Sequence, residues 1–277
     1  MYQTAFDNSR DRRIEDPTNS LLFDPIARRV LPFFLQWGVS ANAVTLGGLA
    51  IGTLASSVYL RWIHPAWAIV GLILSLTWLV ADSLDGMVAR VTGTTSDWGR
   101  ELDGLCDHAV FIFLYISFAW SIGTEQSYLL AFAASVAHVV QANLYEVLRA
   151  RFHRRLRNEP VVRRRVSPNP FARFYDTVAA SFDRASPIDR MTAREGARPL
   201  LDDRYVAAAV TPMRMMIPLS QNIRIIAIYV ACLLGSPKIF WWFEIAPLSM
   251  LAVAGFVWLH NIETDIVLDQ RLPLRRA

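Results

Sequence analysis

The chain has 277 residues, 53% of them hydrophobic and 19% charged, with a formal net charge of +4. The apolar residues fall in blocks of roughly 20, about the length a helix needs to cross a bilayer, which argues against a soluble helical core. Of the 28 Lys and Arg only Lys238 is lysine; guanidinium forks suit phosphate, although codon usage is the simpler account of that ratio.

Residues 1–19 are polar and expected to be loose. Asp7, Asp11, Glu15 and Asp16 alternate with Arg10, Arg12 and Arg13, leaving no apolar h-region, so no cleaved signal peptide is expected. From Ser20 to Val39 the text is apolar but broken by Asp24, Arg28, Arg29 and two prolines, which predicts an amphipathic helix lying in the membrane interface. Six membrane-spanning helices are then predicted, at 43–62, 66–88, 103–122, 127–148, 221–236 and 239–259. Arg224 interrupts the fifth, whose start is open toward Val206. Gly47, Gly48 and Gly52 would let helices approach closely. Many of the nine Trp stand near the block ends, as an interfacial belt requires.

The fold class expected is therefore an all-α integral membrane protein of six transmembrane helices with an N-terminal interfacial helix. Its parts are a segment 1–42, a transmembrane domain 43–260 that includes a basic excursion at 149–205, and a tail 261–277. Arginine concentrates in 1–42, 89–102, 149–205 and the tail RLPLRRA. The positive-inside rule then puts both termini in the cytoplasm, and an even number of spans requires the same. The excursion attracts anionic headgroups or serves only as a solvated topology signal; both readings stand. Cys106 and Cys232 lie in different apolar segments and predict neither a disulfide nor a zinc site.

The chemistry-bearing text is ADSLDGMVARVTGTTSDWGRELDGLCDHAV, at the junction of the second and third spans. Asp82 and Asp85 stand at i,i+3, Asp103 and Asp107 at i,i+4, so each pair shares one face of its helix. A short loop makes the helices antiparallel neighbours and puts all four acids at one membrane depth, near the cytoplasmic surface. Carboxylates that close repel unless cations neutralise them, and acids at membrane depth are costly enough to imply a function. All-oxygen donors select hard ions such as Mg²⁺ or Mn²⁺. Two ions sharing four carboxylates form a device for phosphoryl displacement.

The run Asp82-x-x-Asp85-Gly86-x-x-Ala89-Arg90, followed by Gly99-x-x-x-Asp103-x-x-x-Asp107, resembles the signature of the CDP-alcohol phosphotransferase family. The resemblance implies roles by position. Asp82, Asp85, Asp103 and Asp107 would hold two divalent ions, and Asp107 would also be the general base. Gly86 would let the CDP moiety approach the backbone, Arg90 would hold the diphosphate or ribose, and Ser96 would contact the nucleotide. Asn42 and Thr45 match the family's Thr-Pro-Asn and following Thr, although the proline is absent here. The implied reaction is attack of an alcohol on the β-phosphate of a CDP-linked donor, with CMP leaving. A homodimer is also implied, and no nucleic acid is expected among the partners.

Two substrate arrangements fit. CDP-diacylglycerol donating to a small polar alcohol is favoured, because a short chain with six spans resembles the family's smaller members. CDP-choline or CDP-ethanolamine donating to a lipid alcohol is the alternative. A phosphorylated acceptor would need further cations, for which Arg149, Arg151, Arg214 and Arg224 are candidates, each equally accounted for by headgroup snorkelling. His108 and His138 are expected to be packed or hydrogen-bonded, and Glu146 and Arg149 to form an ion pair. A cation transporter is the rival of another class, but transporters place acids at the midplane between repeated halves, and no repeat is visible. A catalytically dead scaffold would be expected to lose an acid, and all four are present.

Overall fold

The structure, a computed structural model, describes residues 11–159, 177, 182, 186–195 and 199–271. The RRRVSPNPF run of the basic excursion and the tail beyond Arg271 lie outside the described residues. Among those described, the regular elements are all helical. They are α1 (Asp24–Gln36), α2 (Ala41–Val58), α3 (Pro65–Thr92), α4 (Asp97–Ile122), α5 (Glu125–Leu156), α6 (Pro187–Glu195), α7 (Pro199–Met215), α8 (Gln221–Leu233), α9 (Lys238–Phe243) and α10 (Ser249–Arg271).

Among the described residues, five helical stretches are long and apolar enough to cross a membrane: Ala41–Arg61, Pro65–Thr92, Asp97–Ile122, Glu125–Leu156 and Lys238–Gln270. The fifth predicted span differs. Segment 221–236 is a helix of 13 residues, Gln221–Leu233, only about 20 Å long at 1.5 Å per residue, against a hydrocarbon core of about 30 Å. Ser220 precedes its first turn and Gly235, at φ +79°, follows its last. The upstream stretch that left its start open forms the separate helix α7, with Pro212 inside it.

The contacts divide the chain into two compact units. The first holds residues 16–139 and 220–246. Its centre is α2, which packs against both α3 and α4. Two small residues make this possible: a Cβ on Gly48 would touch Ala81 and Trp78 of α3, and one on Gly52 would lie 2.5 Å from Val110 Cγ2 of α4. Below them the core is aromatic, with Tyr59, Trp78, Phe111, Tyr115, Phe118, Phe240 and Trp241 all buried. Helix α1 packs on α3 through Ala27 and Leu31, against Leu84, Met87 and Val88.

The head of this unit is not loose. Asp16, only 4% exposed, accepts from Thr18 N at 2.9 Å, Thr18 Oγ1 at 2.7 Å and Ser220 Oγ at 2.6 Å. The expectation of a loose 1–19 segment fails from Asp16 onward, because a buried carboxylate persists only with such donors. Both cysteines are buried and free.

The second unit holds residues 11–15, the described part of 140–219, and 247–271. Here α10 packs against α6 and α7. Its polar centre is Glu263, fully buried, which accepts from Arg151 at 3.2 Å, Arg155 at 3.0 Å and Ser186 Oγ at 2.6 Å. Arg155 also reaches Asp189 at 2.9 Å. Burial pushes the Asp189 carboxyl up, but Arg155 and Arg154 outweigh it and leave it below its ordinary value. Much of the arginine at the start of the excursion is thus structural.

Candidate metal-binding and catalytic site

The acid-bearing hairpin is set by its local chemistry. Helix α3 ends on Gly93, whose φ of +68° is the left-handed conformation open to glycine. Thr94 N donates to Ala89 O at 2.9 Å to close the turn. Ser96 starts α4 as its N-cap, its Oγ accepting from Gly99 N at 3.0 Å. Ser96, expected at the nucleotide, therefore has a capping role in this structure.

Within the first unit the head of α2, the tail of α3 and the head of α4 come together. Oxygens of Asp82, Asp103 and Asp107 lie within 4.8 Å of one another, a grouping that could hold a metal ion. Asp85, 7% exposed, stands one turn along α3 and accepts from Thr45 Oγ1 at 2.6 Å. Thr45, Gly48, Trp78, Cys106 and all four aspartates line one small cavity of about 10 Å³, far too small for a nucleotide. The grouped donors are all carboxylate oxygens, the chemistry that suits Mg²⁺ or Mn²⁺. The residues fit a hard divalent ion.

Of the nucleotide-binding candidates Asn42, Thr45, Gly86, Arg90 and Ser96, Thr45 alone is among the residues that line this cavity. Asn42 Oδ1 is 3.6 Å from where a Gly99 Cβ would stand, beside Ser96 Oγ. The place of a Gly86 Cβ is 3.1 Å from Arg90 Nη1, so the missing side chain gives the guanidinium its lodging across one helical turn.

The acceptor candidates have other surroundings. Arg224, fully buried, donates to His138 Nδ1 and lies 3.6 Å from Glu244. Its charge interrupts an apolar helix because a buried carboxylate awaits it. Arg151 is held by Glu263 and Phe182 O in the second unit. Arg149 pairs with Glu146 at 3.1 Å, as expected, and Arg214 is exposed on α7. His108 Nδ1 contacts Gly104 O at 2.7 Å, also as expected.

One contact was not anticipated. Gln221 Nε2 donates to Asp107 Oδ2 at 2.5 Å. The sequence signal was a polar triplet, Ser220-Gln221-Asn222, heading an apolar helix; nothing in it names a partner 114 residues away.

A chain of apolar helices that brings four aspartates to the wall of one small cavity offers the donors of a hard divalent ion. The family model for CDP-alcohol phosphatidyltransferases matches residues 38–181, just over half of the chain, and the chain belongs to that family of enzymes. It is similar to cholinephosphotransferase 1 of Rattus norvegicus, 31% identical over 134 residues. The match covers 43% of this chain and 34% of that protein, so the chain spans about a third of the relative's length.

Proposed function

We propose that this chain transfers a substituted phosphate from a CDP-linked alcohol to a second alcohol, releasing CMP, at the cavity of Asp82, Asp85, Asp103 and Asp107. The convergence of Asp82, Asp103 and Asp107 carries the reading. Four carboxylates around one small cavity repel unless cations sit among them, and the four would hold two ions, Mg²⁺ or Mn²⁺. When bound, such ions neutralise the diphosphate and polarise the reacting phosphate.

The chain's own residues then do the rest. Asp107 accepts the proton of the acceptor hydroxyl, whose oxygen forms the new bond to the β-phosphorus as the bond to CMP breaks. Arg90 holds the donor diphosphate or ribose through charge-assisted hydrogen bonds. The space over Gly86 admits the donor, and Asn42, Thr45 and Ser96 border the nucleotide. By the Arg-rich connections the site and both termini lie at the cytoplasmic face, an arrangement that needs the short helix Gln221–Leu233 to complete a sixth crossing; α1 lies in the interface and a homodimer is the working assembly.

For substrates, the first reading is CDP-diacylglycerol donating to a small polar alcohol. Similarity to a cholinephosphotransferase favours a second, in which CDP-choline or CDP-ethanolamine donates to a lipid alcohol. Ion pairs already made by Arg149, Arg151 and Arg224 favour an unphosphorylated acceptor under either. The test is purified protein with Mg²⁺ and labelled CDP-diacylglycerol across a panel of alcohols, and CDP-ethanolamine with diacylglycerol in parallel. CMP release tied to one alcohol supports the first reading; release only in the parallel arm reverses the order; release in neither refutes the activity.

A further inference from the structure

Asp107 is asked to be both ligand and base, so the aim of its carboxylate matters, and carboxylates on helices rotate freely unless held. The structure holds it from outside the motif. Gln221 Nε2 bonds one oxygen, Oδ2, at 2.5 Å, and leaves Oδ1 for an ion or the acceptor. The amide's own Oε1 is buried without a hydrogen-bond partner among the described residues. The bond to Asp107 is therefore the polar contact that orients this side chain, since an ionised carboxylate can only accept.

Gln221 is itself held on both sides. Ser220 Oγ donates to Asp16 Oδ2 at 2.6 Å. Asn222 Nδ2 lies 3.2 Å from the same oxygen, 2.7 Å from Thr18 Oγ1 and 2.8 Å from Asn19 Oδ1. Asp16 and Asn222 are both buried, so this clamp works where hydrogen bonds are strong and costly to lose. An amide flanked by two anchored neighbours has little freedom to leave its carboxylate.

We propose that Gln221 is a positioning residue for Asp107, with the Asp16–Ser220–Asn222 clamp holding it in register; the inference rests on the reading of the acid cavity given above. Outer-shell partners of a ligating carboxylate typically influence metal affinity or activity about 10- to 100-fold. The test compares Gln221→Met, which keeps length and loses the donor, with wild type. The readouts are Mn²⁺ affinity by paramagnetic resonance on the purified full chain, and kcat and donor KM for CMP release. The expected result is a fall of about 10- to 100-fold in kcat or Mn²⁺ affinity with donor KM nearly unchanged. A residue that merely packs would move stability and leave that split untouched.

Should Gln221→Met fail to fold, Asp16→Asn carries the test. It leaves Gln221 in place, weakens the clamp, and is expected to shift the same two quantities in the same direction. Unchanged Mn²⁺ affinity and unchanged kcat in the folded variant overturn the proposal while the phosphotransfer reading stands. A wild type that turns over no CDP-alcohol, yet loses Mn²⁺ affinity on Gln221→Met, keeps the positioning role and removes the assigned reaction.

Discussion

At Gly86 an absent side chain has two neighbours to serve, Arg90 in the structure and the donor in the proposed reaction. A Cβ there would stand 3.1 Å from Arg90 Nη1, so Gly86→Ala must push the guanidinium aside by a few tenths of an ångström. Replacing a mid-helix glycine by alanine also favours the helix by about 1 kcal/mol. Stability and function should therefore part company: thermal stability equal to or above wild type, donor KM raised several-fold. Unchanged KM would remove Gly86 and Arg90 from the donor site. The aspartate pairs were legible in the sequence because helical spacing puts each pair on one face of its helix, whereas Gly86 was marked out by the family resemblance. Gln221 and Asp16 were not, because their roles come from contacts across more than a hundred residues, which local spacing does not encode.

Among the elements, α2 is the wedge that sets the distance between the acid-bearing helices. The place of a Gly52 Cβ lies 2.5 Å from Val110 Cγ2 and 2.8 Å from Cγ1, well inside contact. Gly52→Ala should overpack the α2–α4 contact at a cost of about 1–3 kcal/mol, lowering thermal stability and CMP release together. Adding Val110→Ala removes the obstructing methyls and should restore part of both; a single mutant with wild-type stability would contradict this packing. Hydrophobic block length made α2 to α5 legible, although α4 starts six residues before the predicted span and α5 runs eight residues past it. It overstated the length of 221–236, where a 13-residue helix begins at the polar Gln221 and Asn222, and it could not show that Arg224 meets Glu244 and His138. Apolar text predicts burial, whereas a buried arginine depends on a partner supplied by another helix.

Across the whole molecule, family membership and the acid cavity point to one reaction class, and the substrates are left to the assay of donors and alcohols. The account depends on divalent ions occupying the space between α3 and α4. Mn²⁺ titration of the purified chain, followed by paramagnetic resonance, tests it most directly in wild type beside Asp82→Asn and Asp107→Asn. The account predicts two Mn²⁺ per chain in wild type, weakened binding in both variants, and no CMP release from a folded Asp107→Asn. Mn²⁺ binding that survives both substitutions unchanged would contradict it.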